Sequence, residues 1–153
     1  MGLARFLVVA GGLTATLVSS APLPASSAPR PVAVVVHELV FDTSLTDFVR
    51  TASSPARDRR LDWRTDLCSA PVLESSGRSF DFSRACRRHD FAYRNLSRMD
   101  GGRTWTSNLR ARVDAVFRTD MRADCLPRRA TLRVRCMLWA ETYYRAVRIY
   151  AGP

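Results

Sequence analysis

Cys86-Arg87-Arg88-His89-Asp90-Phe91-Ala92-Tyr93-Arg94-Asn95 decides how this chain is read. At 3.6 residues per turn, Ala85, Cys86, His89, Ala92, Tyr93 and Leu96 share one side of a helix. Asp81 or Ser83 can cap its start, and Gly101-Gly102 breaks the chain after it. The helix therefore carries a cysteine, a histidine, a carboxylate and a tyrosine within two turns. His89 and Tyr93 are four apart and face the same way, while Asp90 sits almost over Cys86.

Working outward, the flanking segments also read as helices. Ser44-Leu45-Thr46-Asp47 fits a capping box for a helix that Ser53-Ser54-Pro55 ends. Thr106 or Ser107 caps a helix whose inner stripe is Leu109, Val113, Val116, Phe117, Asp120 and Met121, stopped at Cys125-Leu126-Pro127. The last helix starts near Thr131, with Leu132, Cys136, Trp139, Ala140, Tyr143, Val147 and Tyr150 at helical spacing. Val32–Val36 is a β-branched run that reads equally as extended or as the lead into a first helix. Thr65–Gly77 reads as a loop. No alternating strand pattern and no internal repeat appears, so the predicted class is all-α, with two long antiparallel helices and a loop-rich first half.

The N-terminus carries a short basic start, an apolar core over Phe6–Val18 and a small-residue stretch over Ser19–Ala28, the form of a secretory signal peptide. An uncleaved anchor is the weaker alternative, because the apolar run is short for a span. Residues 1–28 are read as the signal peptide, 29–37 as a linker and 38–153 as the domain. Export places the protein outside the cell, where cysteines oxidise and calcium is plentiful.

The chain has 153 residues, 24 Arg with no Lys, 14 acids and a formal charge of +10. This length excludes a two-domain enzyme. The charge attracts anions of several kinds, and anionic lipid head groups are the favoured partner. No nucleic-acid motif and no basic residues interleaved with exposed aromatics appear, so nucleic acid is not expected.

Four cysteines allow three pairings. The local one, Cys68–Cys86 with Cys125–Cys136, is adopted here because each bond then joins a loop to a helix or two consecutive helix ends. It brings Asp66 and Leu67, which precede Cys68, against Asp90. Two carboxylates and the Leu67 carbonyl then converge, a set of hard oxygens suited to calcium. In an antiparallel pair, Asp114 can meet His89 and Tyr93, fixing the imidazole tautomer. No Gly-x-Ser-x-Gly nucleophile elbow is present. His37 has no such setting and is expected to be structural or exposed.

Asp66-Leu67-Cys68, the Cys86–Asn95 stretch and Arg112-Val113-Asp114-Ala115-Val116-Phe117 with Asp120-Met121 and Cys125 together resemble the secreted phospholipases A2 of bacteria and fungi. The Trp139…Tyr143-Tyr144…Val147 helix agrees, and the likeness spans roughly residues 38 to 151. The resemblance implies a calcium-dependent hydrolase that releases the sn-2 fatty acid from glycerophospholipids at a membrane or micelle surface, secreted and expected as a monomer. It implies His89 as general base, Asp114 as its orienting partner and Tyr93 as the tyrosine bonded to that Asp. Asp66, Leu67 and Asp90 would be the calcium ligands, and the same two disulfides are implied. A catalytically weak lipid- or partner-binding protein on the same scaffold is the alternative. Ala92 stands where the family usually has glycine, which suggests a narrowed catalytic face and altered rate or substrate preference.

Overall fold

The computed structural model describes residues 28–68 and 80–150. The expected leader, apart from Ala28, and most of the loop after Cys68 lie outside these residues. Among the described residues there is no strand. The helices are α1 (Val32–His37), α2 (Leu45–Ser53), α3 (Ser83–Leu96), α4 (Ser107–Cys125) and α5 (Ala130–Tyr150), with a π-helical turn over Glu38–Asp42 and a 3-10 turn over Met99–Gly102.

Local chemistry explains the boundaries. Ser44 Oγ accepts from the Asp47 amide at 3.1 Å, and Thr106 Oγ1 accepts from the Leu109 amide at 3.2 Å. Each satisfies an amide left over in a first turn. Asp81 Oδ1 does the same for the Ser83 amide at 2.9 Å. Between α3 and α4, Asp100, Gly101 and Gly102 all take positive φ, which turns the chain back on itself.

The α3–α4–α5 unit is antiparallel throughout. His89 pairs with Asp114 and Arg88 with Asp120 across α3 and α4. Across α4 and α5, Arg118 pairs with Glu141, and the Cys125–Cys136 bond closes the turn with Cα atoms 5.6 Å apart. One core cluster joins Val36, Leu39, Val40 and Phe48 to Phe91, Ala92, Leu96 and Val113. A second joins Phe82, Ala85 and Cys86 to Phe117, Met121, Cys136, Ala140 and Tyr143.

Several expectations change. The stretch 29–37, expected as a linker, is helical from Val32 to His37, and Val36 is fully buried in the first cluster. Packing against Leu39 and Val40 outweighs the weak helix propensity of a valine run. Of the α5 residues expected at helical spacing, Leu132 and Tyr150 are exposed, and both lie near the ends of that helix. The Ala92 methyl is fully buried in the first cluster, against which Tyr93 also packs. His37 is half-exposed, 3.3 Å from Asp42 Oδ2 and stacked on Phe41.

Candidate active site

His89 lies on the side of α3 that faces α4, between the two clusters. Its ring packs at a tilt against Tyr93 and Phe117, with centroids 4.4 and 4.6 Å away. Its Nε2 lies 2.9 Å from Asp114 Oδ1. Tyr93 Oη donates to the same oxygen at 2.7 Å. Asp114 is 0% exposed, so every lone pair it carries needs a protein donor. Its other oxygen, Oδ2, accepts from Arg148 Nη1 at 2.7 Å and has Arg110 Nε 3.8 Å away.

These partners set the charge state. Burial pulls the Asp114 carboxyl upward, but the hydrogen bonds from His89, Arg148 and Tyr93 outweigh it and hold it below the ordinary carboxylate range. An ionised carboxylate only accepts, so Nε2 carries the ring proton and Nδ1 keeps its lone pair. Burial, reinforced by the neighbouring Asp114 charge, pushes the Tyr93 hydroxyl well above its usual range, which keeps it a donor.

Arg110 and Arg148 were not singled out in the sequence. Arg110 donates to Tyr93 Oη at 3.2 Å and to the carbonyls of Val147 and Arg148 at 3.1 and 2.8 Å. It thus caps the end of α5 and fixes Arg148 over Asp114. The available signal was Asp114, one residue after Val113 of the α4 stripe, since a carboxylate buried there requires cationic or hydrogen-bonding partners.

The acidic turn is built differently. Asn95 accepts from the Asp62 amide at 2.9 Å and donates to the Asp62 and Phe91 carbonyls at 2.9 and 2.8 Å. Trp63 packs on Phe91 at 4.5 Å. The Cys68–Cys86 bond, with Cα atoms 5.4 Å apart, pins the far end. Between these anchors, Asp90 Oδ2 accepts from Thr65 Oγ1 at 2.5 Å and from the Asp66 amide at 3.2 Å. Leu67 takes a left-handed φ of 60°, uncommon for a branched side chain. Asn95 is the tie that sequence reading missed; it was visible only as part of a motif.

Asp66, Leu67 and Asp90 are therefore neighbours, as the disulfide argument required. Burial pushes the Asp90 carboxyl up to about 6, with the Thr65 hydroxyl opposing and the Asp66 charge adding to the rise. Asp66 also lies 3.4 Å from Arg94 Nη2. Among the described residues no group of three or more His, Cys, Asp or Glu side chains converges on a metal-sized space. Two mutually repelling carboxylates beside a backbone carbonyl nonetheless fit a hard cation that takes its remaining ligands from water or substrate. An open cleft of about 520 Å³ is lined by Arg57, Trp63 and Arg64 among others and does not include His89.

A His–Asp pair on antiparallel helices, beside an acidic turn clipped by a disulfide, is the arrangement the sequence motifs implied. The chain matches the family model described as prokaryotic phospholipase A2 over residues 36–151. It is 31% identical over 132 residues to a protein of Arthroderma benhamiae named secretory phospholipase A2, covering 84% of this chain and 85% of that one. It is 32% identical over 136 residues to a Beauveria bassiana protein of the same name, covering 89% of this chain and 67% of that one. On the strength of a match that spans the dyad, the acidic turn and all four cysteines, this chain belongs to the prokaryotic phospholipase A2 family.

Proposed function

We propose that this protein is a secreted, calcium-dependent phospholipase A2 that hydrolyses the sn-2 ester of glycerophospholipids to a lysophospholipid and a free fatty acid. The observation that carries this reading is the buried Asp114 carboxylate on His89 Nε2. That contact leaves Nδ1 as a base one residue from the Asp66–Asp90 turn. The names of the two fungal relatives support secretion, as does the three-part N-terminus.

In the mechanism, His89 Nδ1 takes a proton from water as its oxygen attacks the ester carbonyl. Asp114 stabilises the imidazolium, and Tyr93 and Arg148 hold the carboxylate in place through this charge change. The imidazolium then returns its proton to the departing glycerol oxygen. Water is the nucleophile, so no acyl-enzyme forms. Asp66, Leu67 through its carbonyl, and Asp90 would hold calcium. When bound, calcium supplies Lewis-acid polarisation of the ester and positive charge for the phosphate. The substrate surface is a phospholipid bilayer or micelle, approached by a monomer.

The test uses a phospholipid with distinguishable sn-1 and sn-2 chains. The expected result is release of the sn-2 chain alone, abolished by chelator and restored by calcium. Release from both positions, or release indifferent to chelator, would reject the reading. A protein that binds lipid without releasing either chain would be the catalytically weak alternative.

A further inference from the structure

Eight large apolar side chains are exposed among the described residues, and six of them, Leu126, Leu132, Val134, Leu138, Ile149 and Tyr150, lie on α5 or on the turn that leads into it. Scattered exposed leucines are ordinary; a cluster on one element is not. Val134 and Leu138 are four apart, and Ile149 follows Leu138 by about three helical turns, so the three share one stripe. They are 61%, 64% and 70% exposed. The opposite side of α5 holds the buried Cys136, Ala140 and Tyr143. The side of α5 turned away from the bundle thus carries exposed aliphatic groups of its own.

The charge around the N-terminal half of this face is one-sided; farther along, Glu141 and Arg145 lie on the same stripe between Leu138 and Ile149 and pair with each other. From Leu126 to Ala140 the sequence holds Arg128, Arg129, Arg133 and Arg135 and no acid. None of the four lies within ion-pair distance of a carboxylate among the described residues, whereas farther along α5 Arg145 reaches Glu141 and Arg148 reaches Asp114. Arg128 instead stacks on Phe80 at 4.8 Å, and Arg133 donates to the Arg128 carbonyl. The nearest acid on the preceding helix is Asp124, whose carboxyl burial pushes upward while Arg84 and Arg128 pull it down. A helix with an outward aliphatic stripe and unpaired arginines fits an anionic phospholipid surface, where aliphatic groups enter the acyl boundary and guanidinium groups meet phosphates. Docking of a second copy is the poorer fit, because a two-fold pairing of this face would set two rows of arginines against each other.

We propose that the outward face of α5, Val134, Leu138 and Ile149 with Arg133 and Arg135 to either side and Arg129 just before the helix, seats the protein on an anionic phospholipid bilayer. The choice of partner rests on the phospholipase reading above; the surface itself rests on exposure and charge.

The experiment measures binding to diether phospholipid vesicles, which cannot be hydrolysed at the ester, with and without diether phosphatidylglycerol. Val134→Ser/Leu138→Ser/Ile149→Ser and Arg129→Gln/Arg133→Gln/Arg135→Gln are compared with the parent chain. Both triple variants should weaken binding to the anionic vesicles roughly tenfold or more. The arginine variant should also flatten the salt dependence. Both should keep their melting temperature and their turnover on a monomerically dispersed short-chain phospholipid. Unchanged vesicle binding in both variants overturns the proposal. So does a parent chain that sediments as a dimer and becomes a monomer in the aliphatic variant, since a second copy would then own the face. Vesicle binding through this face by a chain that hydrolyses no phospholipid would uphold docking and reject the enzymatic reading.

Discussion

Asp90 and Asp114 are the same residue type, each beside His89, yet their carboxyls shift in opposite directions. Burial acts on both. Asp114 faces His89, Tyr93, Arg148 and Arg110, contributed by three packed helices, and its carboxyl falls below the usual range. Asp90 faces a hydroxyl, an amide and a second carboxylate from a loop, and its carboxyl rises to about 6. The difference lies in who supplies the compensating charge. Helix packing supplies it for Asp114 within the chain. The acidic turn brings like charges together, with Arg94 3.4 Å from Asp66 as the cationic side chain beside them. The dyad is thus held by helix packing, whereas the turn is held by a loop, its hydrogen bonds to Asp90 and a disulfide.

The largest expected effect separates these two halves directly. His89→Ala should lower turnover by about 10³–10⁴, the upper range for losing a general base, while calorimetry still detects calcium binding. Asp90→Asn should lose both turnover and calcium binding. If His89→Ala also lost calcium, or Asp90→Asn kept it, the two halves would not be separable and the assignment of ligands would fail.

The disulfides offer the next comparison. Residues 68 and 86 are 18 apart and residues 125 and 136 are 11 apart. Each loop closure should contribute roughly 3 kcal/mol by restricting the unfolded chain. Urea denaturation of Cys68→Ser/Cys86→Ser and Cys125→Ser/Cys136→Ser should show similar losses of that order. Only the first should weaken calcium binding, since only that bond holds the acidic turn to α3. Equal weakening by both would show that the turn responds to global stability rather than to its own clip.

Arg148→Gln sharpens the contrast in pH. Asp114 in the unfolded chain titrates near its ordinary value of about 3.9, and in the folded protein lower. The folded state therefore gains stability above that unfolded value and loses it as pH falls through the depressed folded one. Removing Arg148 should cost about 1 kcal/mol at neutral pH, discounted because that side chain is partly exposed. The gap between variant and parent should close as the solution is acidified below pH 4. A gap that persists in acid would assign the loss to packing of α5 rather than to the ion pair.

How much of this was legible beforehand follows from the range of each interaction. Helix limits were visible because their determinants are local: Ser44, Pro55, Thr106 and Gly101-Gly102 act within a few residues. The meeting of His89, Tyr93 and Asp114 was one possibility for an antiparallel pair, and it was the family resemblance that implied it. Arg88, Arg110 and Arg148 were not, since an arginine in sequence reads as solvent-facing. Arg88 is buried against Asp120 and also donates to the Thr43 carbonyl at 2.6 Å. Asp120 on an apolar stripe was the hint, as an acid there needs a partner, but its partner is 32 residues away. The valine run before Glu38 was ambiguous for the same reason: what makes it helical is the core it joins.

Ala92 turns that lesson into the smallest and most discriminating test. Read from the motif alone, its methyl narrows the catalytic face and alters rate or preference. In the fold the residue is fully buried in the cluster that holds Val36, Leu39, Phe91, Leu96 and Val113, so its methyl has a packing role. Ala92→Gly would remove one buried methyl and place glycine inside a helix, together costing about 1–2 kcal/mol. Thermal denaturation should register that loss while turnover and the profile of released acyl chains stay within about twofold, because neither His89 nor Asp90 depends on that methyl for a contact. A variant with unchanged melting temperature and a shifted acyl preference would return the methyl to the wall of the site. The hydrophobic surface of α3 would then have to be shared between core and substrate, and the separation of packing from chemistry drawn above would hold for Asp114 but not for the helix that carries His89.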